Sequence, residues 1–146
     1  MQPSVVMKRM ILRAPRRAEE APLSLEEVPD PVPGEDEIAI AVRACAVCRT
    51  DLQLAEGDLP ARRLPIVPGH QIVGEVVAVG ARVSSWSVGD RAAAGWLGSA
   101  CGVCIQCVAG KENLCEQARF TGWDIDGGYA TRAIVNASFA FPVPAG

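Results

Sequence analysis

The sequence predicts a mainly β fold with long loops, either a partly open barrel or a sandwich. Three observations carry this. Short runs rich in Val, Ile and Ala recur along the chain. Glycine and proline punctuate the gaps between them, with 14 Gly and 11 Pro in 146 residues. Helical periodicity is confined to two short stretches.

The elements follow in order. VVMKRMIL (5–12) and LSLEEV (23–28) are predicted strands, each followed by a proline. PDPVPGEDE (29–37) is a turn-rich connector. EIAIAVRAC (37–45) is the next strand. TDLQLAEG (50–57) is predicted as about two helical turns, with Thr50 or Asp51 as N-cap and Gly57 just past the end. IVGEVVAVG (72–80) is a strand in which Gly74 marks a bulge or a close backbone approach. VGDRAAAGW (88–96) places a Gly-Asp turn before another strand. GKENLC (110–115) is predicted as one helical turn, and GGYATRAIVN (127–136) as a further strand. The end, FPVPAG, reads as a connection to a further segment.

The length suits one domain. A chain of this size buries roughly 68–70% of its unfolded surface, enough for a core without staples. Hydrophobic residues make up 49% and charged residues 21%, with a net charge of −3. Without a basic stripe, nucleic acid is not an expected partner. The basic N-terminus lacks a continuous apolar core, so no secretory signal is expected. Residues 92–110 carry no charge but hold four glycines, which suits a loop over a buried edge better than a membrane span. A soluble, cytoplasmic protein without a membrane partner is the expectation. In that reducing compartment, clustered cysteines are metal ligands or catalysts more often than disulfides.

Four of the six cysteines lie at Cys101, Cys104, Cys107 and Cys115, spaced C-x2-C-x2-C-x7-C. Four thiolates at such spacing close a tetrahedral zinc site with Zn–S near ~2.3 Å. A closed shell leaves no position for water or substrate, so such a site holds structure and performs no chemistry. An iron–sulfur cluster and unligated or disulfide-bonded thiols are the alternatives. The ferredoxin run C-x2-C-x2-C-x3-C-P differs here in its last gap, and Glu116 stands in place of the proline.

Cys48 and His70, the sole histidine, form a second candidate metal pair. Cys48 opens the predicted helix beside Arg49, and helix dipole and guanidinium both favour a thiolate. Asp51 is close enough in sequence to support a ligating imidazole. Read alone, His70 is a turn residue and Cys48 a core residue; only the combination is informative.

The motifs ACAVCRTDLQ, PGHQIVGEVVAVG, VGDRAAAGWLGSACGVCIQCVAGKENLC and TGWDIDGGYA, in this order, resemble the zinc-dependent medium-chain alcohol dehydrogenases. The resemblance runs from about residue 7 to the end and matches the family's N-terminal, GroES-like catalytic domain. It implies one domain over 7–146, a partly open β-barrel with short helices and a zinc-binding loop lobe at about 97–117. The family's Rossmann domain, which binds NAD or NADP, finds no match, and no G-x-G-x-x-G occurs.

Residue by residue, the resemblance implies that Cys48 and His70 are two ligands of a catalytic zinc, with the third expected beyond Gly146. Cys101, Cys104, Cys107 and Cys115 would hold the structural zinc. Thr50 would begin a proton relay, Asp51 would steady His70, Arg49 would meet the cofactor pyrophosphate, and Trp96 would line the substrate pocket. The implied activity is interconversion of a small alcohol with an aldehyde or ketone, with the chain by itself inactive and homo-oligomer formation open. Three positions depart from the family. Gln53 replaces a relay histidine and does not titrate. Gln71 replaces a glutamate, which makes the field at the metal less negative. Ala46 replaces a glycine. Cys45 is expected to be buried and inert. The competing functions are a stand-alone zinc-stabilised binding module without catalysis and an iron–sulfur electron carrier.

Overall fold

A computed structural model describes residues 6–144. Strands β1 (Val6–Leu12) and β2 (Leu23–Pro29) pair antiparallel through their whole length. They bracket a 3-10 turn at Ala18–Glu20. Strand β3 (Glu37–Cys45) leads to helix α1 (Arg49–Glu56), then to β4 (Ile72–Val79) and β5 (Arg91–Ala94). The cysteine lobe holds β6 (Leu97–Ser99), a single turn α2 (Ile105–Val108), a 3-10 turn at Glu112–Leu114 and β7 (Arg119–Phe120). Strands β8 (Arg132–Asn136) and β9 (Ala140–Pro142) follow.

Five strands form one antiparallel sheet in the order β8-β3-β4-β5-β9, which curls into the expected partly open barrel. Period-2 patterning decides which face is inside. In β4, Ile72, Gly74 and Val76 point inward and Val73, Val77 and Val79 outward. The inward set joins Ile38, Ile40, Trp86, Ala92 and Val135 in the main core. Gly74 is both a close approach and a bulge neighbour. A Cβ there would lie 2.2 Å from the Ala41 carbonyl oxygen, and the β3–β4 register slips between Val42 and Ala44.

A second cluster, Leu12, Leu54 and Ile66, ties the β1–β2 pair to α1. Leu12 and Ile66 also exchange backbone bonds of 2.8 and 3.0 Å. This holds α1 against the β1–β2 pair.

Several expectations are corrected. The N-cap of α1 is Cys48, not Thr50 or Asp51. The Asp51 carboxylate reaches back and accepts the Cys48 N–H at 2.9 Å, which secures the first turn two positions before Thr50. The predicted strand 127–136 is strand only from Arg132. Its first residues instead pair with the segment before His70: Gly127 N donates to Val67 O (2.7 Å), Gly128 N to Gly69 O (2.8 Å) and Tyr129 N to Pro68 O (3.0 Å). The short elements β6, α2, β7 and β9 were not anticipated, being too brief to show periodicity.

Strand β9 is one edge of the sheet. Val143 N donates inward to Arg91 O at 3.0 Å. By alternation, the nitrogens of Pro142 and Pro144 face away from the sheet. Among the described residues no helix is long and apolar enough to cross a membrane. Residues 1–5 of the N-terminal stretch read for a leader, and the last two residues of the connecting segment, lie outside the described residues.

Candidate metal centres

The lobe between β5 and β8 brings its four thiols together. The sulfurs of Cys101, Cys104, Cys107 and Cys115 all lie within 4.8 Å of one another. Cys104 and Cys107 sulfurs are 3.5 Å apart, and Cys101 and Cys107 sulfurs 3.9 Å. A tetrahedron with metal–sulfur bonds of ~2.3 Å has edges of ~3.8 Å, so the box fits one ion. A cluster of several irons would hold the thiolates further apart. Backbone amides point at the sulfurs: Cys104 N to Cys101 Sγ at 3.4 Å and Cys101 N to Cys115 Sγ at 3.5 Å. Amides of Val103 and Cys104 bring the Cys101 thiol down to about 6, while desolvation pushes Cys107 up to about 12.

The second centre lies where the N-terminus of α1 meets the loop before β4. Asp51 and His70 are both 6% exposed, so their pairing is shielded from solvent. Asp51 Oδ1 lies 3.3 Å from His70 Nδ1 and also accepts the Gly69 N–H at 3.0 Å. Burial opposes the Asp51 charge, but hydrogen bonds from His70 and from the Cys48 amide outweigh it and hold the carboxyl below its usual range. The same carboxylate raises the His70 pKa. The Cys48 thiol is lowered, first by the Thr50 N–H, then by the Thr50 hydroxyl 3.8 Å away and by His70. The helix N-terminus thus acts as expected, whereas Arg49 is exposed and Thr50 and His70 supply the remaining help. With Nδ1 turned to Asp51, the lone pair of a neutral imidazole is on Nε2. Cys48 and His70, with the Asp51 carboxylate behind the ring, offer a sulfur and a nitrogen donor of the kind zinc takes.

Trp96 meets the His70 ring edge to face, with centroids 4.9 Å apart. It belongs to a slab that was not anticipated. Trp96 stacks on Phe120 at 5.1 Å and on Trp123 at 5.7 Å. Arg62 lies over the Trp123 ring at 3.8 Å and bonds to both Asp124 oxygens. Gln53 is half-buried on α1, and Gln71 is exposed. Cys45 is half-buried rather than buried; desolvation raises its pKa, so it stays a thiol. Tyr129 also escaped the sequence reading. Its ring packs where a Cβ on Gly69 would be, 2.6 Å from Tyr129 Cδ1. The signal was the Gly-Gly-Tyr run, whose glycines let the chain pass this close.

The fold is thus a curled β-sheet that carries a four-thiol box and, apart from it, Cys48 and a carboxylate-backed His70. The family description "Alcohol dehydrogenase GroES-like domain" matches residues 34–145, and the chain belongs to that family. It is 46% identical over 140 residues to "Probable alcohol dehydrogenase AdhA" of Mycobacterium tuberculosis, covering 92% of this chain and 40% of that protein. It is 42% identical over 124 residues to an alcohol dehydrogenase of Geobacillus stearothermophilus, covering 84% and 37%. The structure of a cobalt- and zinc-bound thermostable alcohol dehydrogenase from Pyrobaculum aerophilum superposes with a TM-score of 0.88 at 30% identity, covering 97% of this chain and 43% of that one. The chain thus spans about two fifths of the length of these relatives.

Proposed function

We propose that this chain is the catalytic domain of a zinc-dependent alcohol dehydrogenase, interconverting an alcohol and an aldehyde or ketone with NAD or NADP. The observation that carries the reading is the 3.3 Å approach of Asp51 to His70 Nδ1, on a ring whose other nitrogen is left to a metal beside Cys48. Zinc bound by Cys48 and His70 would supply Lewis acidity toward the substrate oxygen. Asp51 fixes the imidazole tautomer and ring orientation. The Thr50 hydroxyl, next to the Cys48 sulfur, is the first group able to pass on a substrate proton. Gln53 does not titrate, so the proton leaves by another route. Trp96 walls the substrate side of His70. Arg49, exposed on the first turn of α1, is the candidate contact for a cofactor phosphate.

In this reading residues 7–146 form one domain, with 97–117 as a lobe in which Cys101, Cys104, Cys107 and Cys115 hold a structural zinc. Six free thiols suit the cytoplasm. The relatives are longer, and turnover is expected to need a nicotinamide site that Arg49 alone does not supply.

The test is metal analysis and assay of the natural protein containing this chain. We expect two zinc ions per chain and alcohol-dependent reduction of NAD+ or NADP+. Cys48→Ser and His70→Ala should each abolish turnover and remove one zinc only. Full turnover by either variant overturns the reading. Zinc in the four-thiol box with no redox activity toward any alcohol, aldehyde or ketone would favour a binding module.

A further inference from the structure

Among the described residues, two buried side-chain polar atoms lack a hydrogen-bond partner: Asp30 Oδ1 and the Tyr129 hydroxyl. A buried donor without a partner costs about 1–3 kcal/mol, so its place calls for a reason. Tyr129 is held on both sides by backbone: its N–H donates to Pro68 O at 3.0 Å and its carbonyl accepts from Met10 N at 2.7 Å. Its ring rests against Gly69, the neighbour of His70. It shares with Asp51 a cavity of about 320 Å³, otherwise lined by apolar side chains such as Met10, Leu23, Leu52 and Ala55. Burial, and then the Asp51 charge, push the phenol well above its usual range, so it is a donor at every working pH.

Asp51, which lines the same cavity, has acceptor capacity left. Asp51 Oδ1 already takes Gly69 N and His70 Nδ1, whereas Oδ2 takes only Cys48 N. A carboxylate offers about four acceptor positions. We propose that Tyr129 is a positioning residue for the candidate catalytic centre: its hydroxyl donates to Asp51, directly or through one water in the shared cavity, and so moderates the pull of that carboxylate on the His70 Nδ1 proton. This rests on the zinc reading for its functional meaning but not for its test. Removing the hydroxyl leaves Asp51 more basic. The His70–Asp51 hydrogen bond then strengthens, and the ring becomes a more electron-rich ligand.

The chain has one histidine and one tyrosine, so each gives a single set of ring resonances. The experiment is magnetic resonance on the chain with zinc in its four-thiol box and no metal at Cys48 and His70, wild type against Tyr129→Phe, which keeps the ring packing. The His70 Nδ1–H proton is expected to move downfield in the variant, with backbone amides remote from the site unchanged. An unchanged or upfield-shifted Nδ1–H overturns the proposal; a residue that merely filled space would give one of these. Should the variant fail to fold, the wild type decides alone. With the tyrosine labelled at Cζ, donation to a carboxylate shifts that carbon downfield of free tyrosine, and an unshifted Cζ overturns the proposal. These spectra need no metal at Cys48 and His70. Failure of the zinc reading would instead appear as absent metal at Cys48 and His70 in the assay above.

Discussion

Asp51 Oδ1 receives both the Gly69 amide and the His70 imidazole, so one carboxylate oxygen fixes the backbone before the histidine and the ring itself. Asp51 Oδ2 holds the amide of Cys48. The two candidate ligands are therefore positioned by one side chain. Asp51→Asn is expected to weaken metal binding at this centre by about 10–100-fold, the usual loss for a carboxylate behind a ligating histidine. The four-thiol box should keep its affinity. Cobalt titration, followed through the separate absorption of the two sites, measures both.

The four-thiol box should behave as a fold determinant. Cys107→Ser is expected to lose one zinc per chain and about 4 kcal/mol or more of stability, since a lost metal ranks among the largest single-residue effects. Cys45→Ser, at a thiol outside both centres, should keep its full metal content. Chelation of the wild type should reproduce the Cys107→Ser melting temperature.

The strap between residues 67–69 and 127–129 leaves no room for a methyl group. A Cβ at Gly127 would lie 2.1 Å from the Gly69 carbonyl oxygen, which is backbone and cannot step aside. Gly127→Ala is expected to cost about 3 kcal/mol or more and to lower metal affinity at His70. Gly89 has φ +97° but open space around it. Gly89→Ala should cost only the conformational price of about 1–2 kcal/mol and leave the metal untouched. Denaturant unfolding separates the two cases.

Glu26 bonds to Arg13 and Arg9, and these bonds hold its carboxyl below the usual range, Arg13 contributing most. The folded value lies under the unfolded one, so on acidification the unfolded chain takes up the proton first. The stabilisation is complete above the ordinary carboxylate value and is lost as the pH falls through the depressed folded one. Glu26→Gln should flatten the acid limb of the stability profile and leave its slope above pH 6 unchanged. Urea midpoints across the pH range report this.

The strands that build the main core were legible because Ile38, Ile40, Ile72 and Val76 sit in runs long enough to show alternation. The four-thiol box was legible from spacing alone. Other features depend on contacts that no local pattern encodes. Arg62, Trp96 and the Phe120–Trp123 turn come from three separate segments and meet only after the lobe docks on the barrel. Gly127 to Tyr129 looked like the start of a strand, yet their backbone bonds go to the loop before His70. Thr50 and Asp51 are better N-caps than Cys48 by side-chain preference. The capping oxygen nonetheless comes from Asp51 in the first turn, because tertiary contacts to Gly69 and His70 hold that carboxylate there.

The outer rim of the five-stranded sheet at β9 presents Pro142 and Pro144 where an incoming strand would look for N–H donors, and proline has none. Adding a foreign strand there would leave carbonyls of the newcomer without donors, so this border resists growth into a continuous, fibre-like sheet. The prolines that end the last strand thus also guard against aggregation.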